Sequence, residues 1–351
     1  MRSIRVVLIV VVVACHIYSR RAEGQTPDAN TQDVKSQTGP VTLDAPDLLR
    51  ELVLVRNFTE VGLSASFEVE GERLFDGPVL AADTIIFHPG SRLVLAGERG
   101  DRESRYIVAR SLKILSGSGP AIITWQRPPV TDQVPPVGGA APSGSVGGGE
   151  GSEGTLGAAG QTGNPGFPGR SGPTVFLIVG RVEGGPLKID LRGQDGGPGG
   201  EGQRGGEGGP GRAGRAAVAS IIDCRSGGEN GGRGGQGGSG GKGGPGGRGG
   251  NGGTLIVMST ETTLRRLQAA VQVEITGGDG GPGGSGGKPG PGGPGGLGGS
   301  GSGFCQGGNM GPAGPTGVAG SGGDRGPDGT AGVFGQAVLT DQQLARVIGG
   351  R

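Results

Sequence analysis

From Gly231 to Thr254 the chain reads GGRGGQGGSGGKGGPGGRGGNGGT, triplets that each open on two glycines without a slip of register. Glycine at every third position recurs in five runs of similar length: 148–172, 193–214, 228–252, 278–299 and 308–335. A period of three is that of the polyproline II helix. Such a helix rises about 3.1 Å per residue, so 25 residues make a rod of roughly 75 Å with one face bare.

Three architectures compete for these runs. A flexible linker needs no register, yet here the register holds and strand-like sequence bounds every run. Collagen needs one glycine per triplet with proline beside it, whereas the third and fourth runs carry two in nearly every triplet. In a bundle of polyproline II rods two glycine faces serve a purpose, letting backbones approach closely enough for N–H to C=O bonds between rods. The bundle is the reading adopted. Disorder and collagen remain the alternatives, and the fifth run, GPAGPTGVAGSGGDRGPDGTAGVFG, is the most collagen-like.

Composition agrees. With 88 Gly and 25 Pro among 351 residues and only 3% aromatics, a core of large side chains cannot extend through the whole chain. A net charge of +1 supplies no field to recruit nucleic acid or an anionic membrane surface.

Residues 1–22 read as an export signal: Arg2 and Arg5 precede an apolar run too short for the roughly 20 residues of a membrane-spanning helix. Val12, Val13, Ala14 and Cys15 resemble the bacterial lipoprotein cleavage box, in which the Cys is lipidated. The alternative is an ordinary signal peptide cut near Ser19 or Ala22. Residues 23–40 form a polar tether. The expected address is extracellular or at the cell surface, as an outer-membrane lipoprotein if Cys15 is lipidated.

Over 41–126 short apolar runs recur about every ten residues between turn signals, which predicts a small all-β domain, either a sandwich or a short β-helix. A Pro/Gly linker follows over 127–147, then the bundle with β connectors over 148–337, then a short C-terminal helix or tail over 338–351. Overall the chain is expected to be mainly β with very little helix. Among the connectors, VFLIVGRV, EGGP and LKIDLR (175–192) spell a hairpin, AAVASIIDC (216–224) a short apolar crossing, and 255–276 strand, helix and strand with Ser259 or Thr260 as N-cap.

Chemistry-bearing residues are few. His88 sits before Pro89-Gly90 at a turn and reads as structural, while Glu68, Glu70 and Glu72 read as an ordinary solvated strand face. The sequon Asn57-Phe58-Thr59 is read as chance. Asp195, Asp279 and Asp324 do not recur with the nine-residue period of calcium-binding repeats. No catalytic residue, metal site or cofactor is expected, and the chain is not expected to be an enzyme. If the second and third runs are antiparallel, Asp195 faces Arg248, Glu201 faces Lys242 and Glu207 faces Arg233. A disulfide is expected between Cys224, just before the third run, and Cys305, just after the fourth. Their midpoint falls in the centre of the 255–276 connector, so an antiparallel pair of runs brings both thiols to its open end.

The GGX runs resemble the glycine-rich polyproline II bundles of snow-flea-type antifreeze proteins and phage tail-tip adhesins. GGRGGNGGTLIVMSTETTLRRL followed by VEITGGDGGPGG is similar in pattern to the glycine-rich domain of Obg proteins. The resemblance covers about half the chain and implies the fold, not a function. The expectation is an exported structural or adhesive surface protein whose partner is a glycan or protein on a surface or envelope. Nucleic acid is not expected, and a membrane only through an N-terminal lipid. Ice binding and a collagen-like trimer are the alternatives.

Overall fold

The computed structural model describes residues 41–42, 64–96, 104–127 and 139–348. The export signal, Cys15, the tether and the Asn57 sequon lie outside the described residues.

The fold is mainly β. Among the described residues seven strands, β1 (Val41–Thr42), β2 (Ser64–Val69), β4 (Val79–Phe87), β6 (Ser104–Ile114), β8 (Thr174–Gly184), β12 (Thr254–Ser259) and β14 (Val333–Val338), form one sheet in the order β1-β14-β12-β8-β6-β4-β2. Five more, β3 (Glu72–Phe75), β5 (Arg92–Leu95), β7 (Ala121–Trp125), β9 (Leu187–Asp190) and β13 (Val271–Glu274), form a second in the order β13-β9-β7-β5-β3. Pairing in both sheets is parallel throughout. The chain lays one strand in the first sheet, turns a short arc, lays the next in the second and returns, so successive strands stack as turns of a solenoid.

Parallel stacking places like residues above one another. Leu80, Ile107, Leu177 and Val257 are register partners on neighbouring strands, all buried. Leu93, Ile123 and Ile189 do the same in the second sheet. Together they line the core between the sheets, which supplies the hydrophobic stabilisation the glycine runs lack. Helix α1 (Glu261–Ala270) follows Thr260 and turns Leu264 and Leu267 into that core. Thr260 is the N-cap residue, but its hydroxyl donates to Thr263 Oγ1 and accepts no helix N–H. Helix α2 (Asp341–Ile348) covers the outer face of the first sheet, where Leu344, Val347 and Ile348 meet Phe176, Ile178 and Met258.

The hairpin expected over 175–192 is not formed. β8 pairs with β6 and β12, and β9 with β7 and β13, so the two strands lie in different sheets. A tight turn between apolar runs is written alike in sequence whether the strands then pair or cross between sheets. The strands flanking the glycine runs also continue the sheets begun before residue 126. The runs leave and re-enter this solenoid between β7 and β8, between β9 and β12, and between β13 and β14.

An ion network marks the junction. Asp190, at the end of β9, accepts from Arg127 at 2.6 Å and from Arg192 at 2.9 and 3.0 Å, and Arg192 also meets Glu274. Burial pushes the Asp190 carboxyl up, but the hydrogen bonds from Arg192 and Arg127 outweigh it and hold it well below the usual carboxylate range. A depressed folded-state value means that this contribution to stability is complete above about pH 4 and fades as pH falls toward the folded value. Asp190→Asn is therefore expected to lower Tm at pH 7, with the difference from wild type shrinking as both are acidified from about pH 4 toward pH 2. Thermal melts at stepped pH check it.

Candidate functional site

The glycine runs are joined by main-chain hydrogen bonds repeating every third residue. The second and third are antiparallel: Gly232 N–H donates to Arg212 O, Gly235 to Gly209, and so on to Gly250 and Gln194, each at 2.8 Å. The fourth donates antiparallel to the third, from Gly278 N–H to Gly250 O through Gly299 to Glu229. The fifth donates antiparallel to the fourth, from Gly308 to Gly299 through Gly329 to Gly278. Parallel bonds link alternate runs, the second to the fourth (Gly196 N–H to Asp279 O) and the third to the fifth (Gly246 N–H to Asp324 O). The stretch from Ala141 to Gly147 joins alongside the second run through Arg204, Glu207 and Pro210.

These bonds define two stacked rows. One holds the outgoing segments, 141–147 and the second and fourth runs; the other holds the returning first, third and fifth. The third run touches the first, second, fourth and fifth, and its burial repeats as two buried glycines and one exposed residue through nearly its whole length. Close packing explains the second glycine. A Cβ on Gly241 would meet Gln161 O, and one on Gly240 would meet Gly287 O, both under 3.0 Å, which real side chains do not tolerate. The first and fifth runs, at the ends of their row, carry mostly one glycine per triplet.

The expected charge pairs between the second and third runs are absent among the described residues. The runs are antiparallel as expected, but they occupy different rows. Some of their third-position side chains meet partners in their own row, while others cross between rows: Gln203 Oε1 accepts the Gln161 N–H of the first run, and Arg212 donates to Gly148 O. Lys242 Nζ binds Asp324 Oδ2 of the fifth run at 2.6 Å, and that hydrogen bond holds the exposed Asp324 carboxyl below its ordinary value. Asp195 Oδ1 instead accepts the Asp279 N–H of the fourth run at 2.8 Å. Asn230 and Asn251 accept the Asn309 and Thr330 N–H groups in the same manner.

Far from the solenoid, two loops close the runs. Cys224 and Cys305 are joined in a disulfide across a sequence separation of 81, with Cα atoms 5.0 Å apart, a spacing within the usual range for the bridge. Beside it, strands β10 (Val218–Ala219) and β11 (Cys224–Ser226) pair antiparallel about a turn in which Ser220 N–H donates to Asp223 O at 2.7 Å. A second turn is closed by reciprocal bonds between Ser302 and Cys305, with Gly303 at φ +55°, a left-handed conformation that favours glycine. Ala217 N–H to Ser300 O ties the two loops together.

Each turn carries large apolar side chains at its apex. Ile221 is 96% exposed, Ile222 88% and Phe304 73%. The crossing AAVASIIDC thus contributes to no core at Ile221 and Ile222, contrary to what its apolar character implies. The turn signal is weak in sequence: the Ser220 side chain folds it, its Oγ donating to Asp223 O and accepting from Asp223 N–H.

No family model and no curated protein matches this chain. A springtail antifreeze protein from Granisotoma rainieri, described as a nine polyproline type II helical bundle, is similar at 27% identity over 52% of this chain and 94% of its own, with a TM-score of 0.08.

Proposed function

We propose that the chain is an exported structural and adhesive protein, in which the glycine runs are polyproline II rods bundled into a stiff slab that carries a binding tip away from its solenoid base. The observation that carries this reading is the far end, where a disulfide fixes two turns whose apices expose Ile221, Ile222 and Phe304. Exposed apolar residues gathered on one surface mark an interaction site. Main-chain bonds at every third residue, with two small positions per triplet, support polyproline II geometry, in which runs of this length would span roughly 70–75 Å. A disulfide supports export, because such bridges persist in oxidising compartments. Because the runs bond to one another within one chain, no trimer is needed to satisfy them. Ice binding, the other alternative, fits poorly with a row interrupted by Arg233, Lys242 and Arg248.

The test combines localisation with a tip variant. Cell fractionation with surface protease treatment is expected to find the protein outside the cytoplasm. The triple variant Ile221→Ser, Ile222→Ser, Phe304→Ser is expected to keep the wild-type Tm while attachment to cells or matrix falls by at least about tenfold, as loss of several buried apolar anchors implies. Undiminished attachment, or a cytoplasmic protein with free thiols, would contradict the reading.

A further inference from the structure

A second candidate site lies on the solenoid. Glu68 in β2 and Glu70 just after it are two residues apart and so face the same way. The parallel register pairs Glu68 with Ile86 and Val69 with Phe87, which sets Glu70 beside His88. His88 is anchored by its backbone: its N–H donates to Val69 O at 3.0 Å, and its carbonyl accepts from Ser91 N–H at 3.1 Å. Gly90, at φ +69°, completes the turn.

His88 Nε2 lies 3.3 Å from Glu70 Oε1 and 3.6 Å from Glu68 Oε2, and all three atoms fall within 4.8 Å of one another. Nε2 is sealed from solvent yet makes no hydrogen bond, although two carboxylates flank it. A protonated imidazole between carboxylates would close on one of them to about 2.7–2.9 Å. The two nitrogen–oxygen spacings are instead close to the edges of a coordination tetrahedron, where ligands about 2.0–2.1 Å from one ion sit roughly 3.3–3.4 Å apart.

We propose that Glu68, Glu70 and His88 bind a divalent cation of the zinc class, through one imidazole nitrogen and two carboxylate oxygens. The outer side is open, since the Glu70 side chain is 70% exposed, leaving room for water or an external ligand in the fourth position. Calcium is the wrong guest, because it takes 6–8 oxygen ligands at longer range. The nearby cation Arg73 is turned aside, donating to Glu68 O and lying 3.9 Å from the Phe67 ring centroid. Bound there, the ion clips β2, the outermost strand of the first sheet among the described residues, to the turn after β4.

Isothermal titration of Zn²⁺ into tag-free protein at pH 7.5 tests this, beside His88→Gln and Glu70→Gln; the second alters an exposed side chain and spares the fold. The expected result is saturable binding to wild type that each variant weakens by at least about tenfold, with Zn²⁺ raising the Tm of wild type and Ca²⁺ leaving it unchanged. Binding of equal strength in wild type and both variants, or no binding by wild type at millimolar Zn²⁺, would overturn the proposal.

Discussion

Gly241→Ala is expected to destabilise the protein by at least about 3 kcal/mol, a loss beyond that of most single substitutions. Gly241 does not have a positive φ, so its backbone would accept alanine, and in a loose chain the change would be neutral or would stabilise by a few tenths to about 1 kcal/mol. What forbids it is space: the added Cβ would run into Gln161 O. Gly241 N–H also donates to Gln203 O, and its carbonyl accepts from Gly287 N–H, so any shift to relieve the clash breaks bonds to neighbouring runs. Two positions away, Ser239→Ala replaces an exposed side chain and should change stability by no more than about 0.5 kcal/mol. Denaturant melts of the two variants against wild type check the contrast. Equal, small effects would mean that the runs are not packed.

Removing the disulfide should cost about as much. The bridge closes a loop of 81 residues, and on the chain-entropy model Cys224→Ser with Cys305→Ser costs about 4.5 kcal/mol. The loop spans the third and fourth runs, which carry few apolar side chains, together with β12, α1 and β13. A fall in Tm on reduction, reproduced in the double serine variant, is the expected result. An unchanged Tm would show that main-chain bonds hold the far end unaided.

These two predictions rest on features with different visibility in the sequence. The disulfide could be placed because Cys224 and Cys305 flank two runs symmetrically about a connector, and reversal at that connector brings them together. The second glycine of each triplet likewise announced close neighbours. Side-chain direction could not be read. Asp195 and Arg248 stand opposite in an antiparallel alignment, but Asp195 Oδ1 accepts the Asp279 N–H of the fourth run instead, and only the full set of neighbours reveals the rows.

The solenoid was half legible for a related reason. LVL at 93–95, IVA at 107–109 and LIV at 177–179 announce strands through apolar, β-branched residues. Their partners depend on contacts between residues tens of positions apart. The arc at 185–186 therefore read as a hairpin turn, though Leu187 pairs with Ala121 and Val271. His88, Glu68 and Glu70 were each visible as residues, but alone His88 reads as a structural turn residue and the glutamates as a solvated face. Only parallel register sets the imidazole beside both carboxylates. Ile221 and Ile222 were misleading, because an apolar pair ordinarily implies burial and here a side-chain-bonded turn holds it outward.

The glycine runs form one bonded slab on a parallel solenoid. Residue-resolved amide hydrogen exchange over 231–252 tests it most directly, because protection reports which N–H groups are bonded in the folded state. The expected result is protection with a period of three: Gly231 and Gly232 slow, Arg233 fast, Gly240 and Gly241 slow, Lys242 fast, following the main-chain bonds of those glycines. Uniformly fast exchange at the rates of an unstructured chain would contradict it.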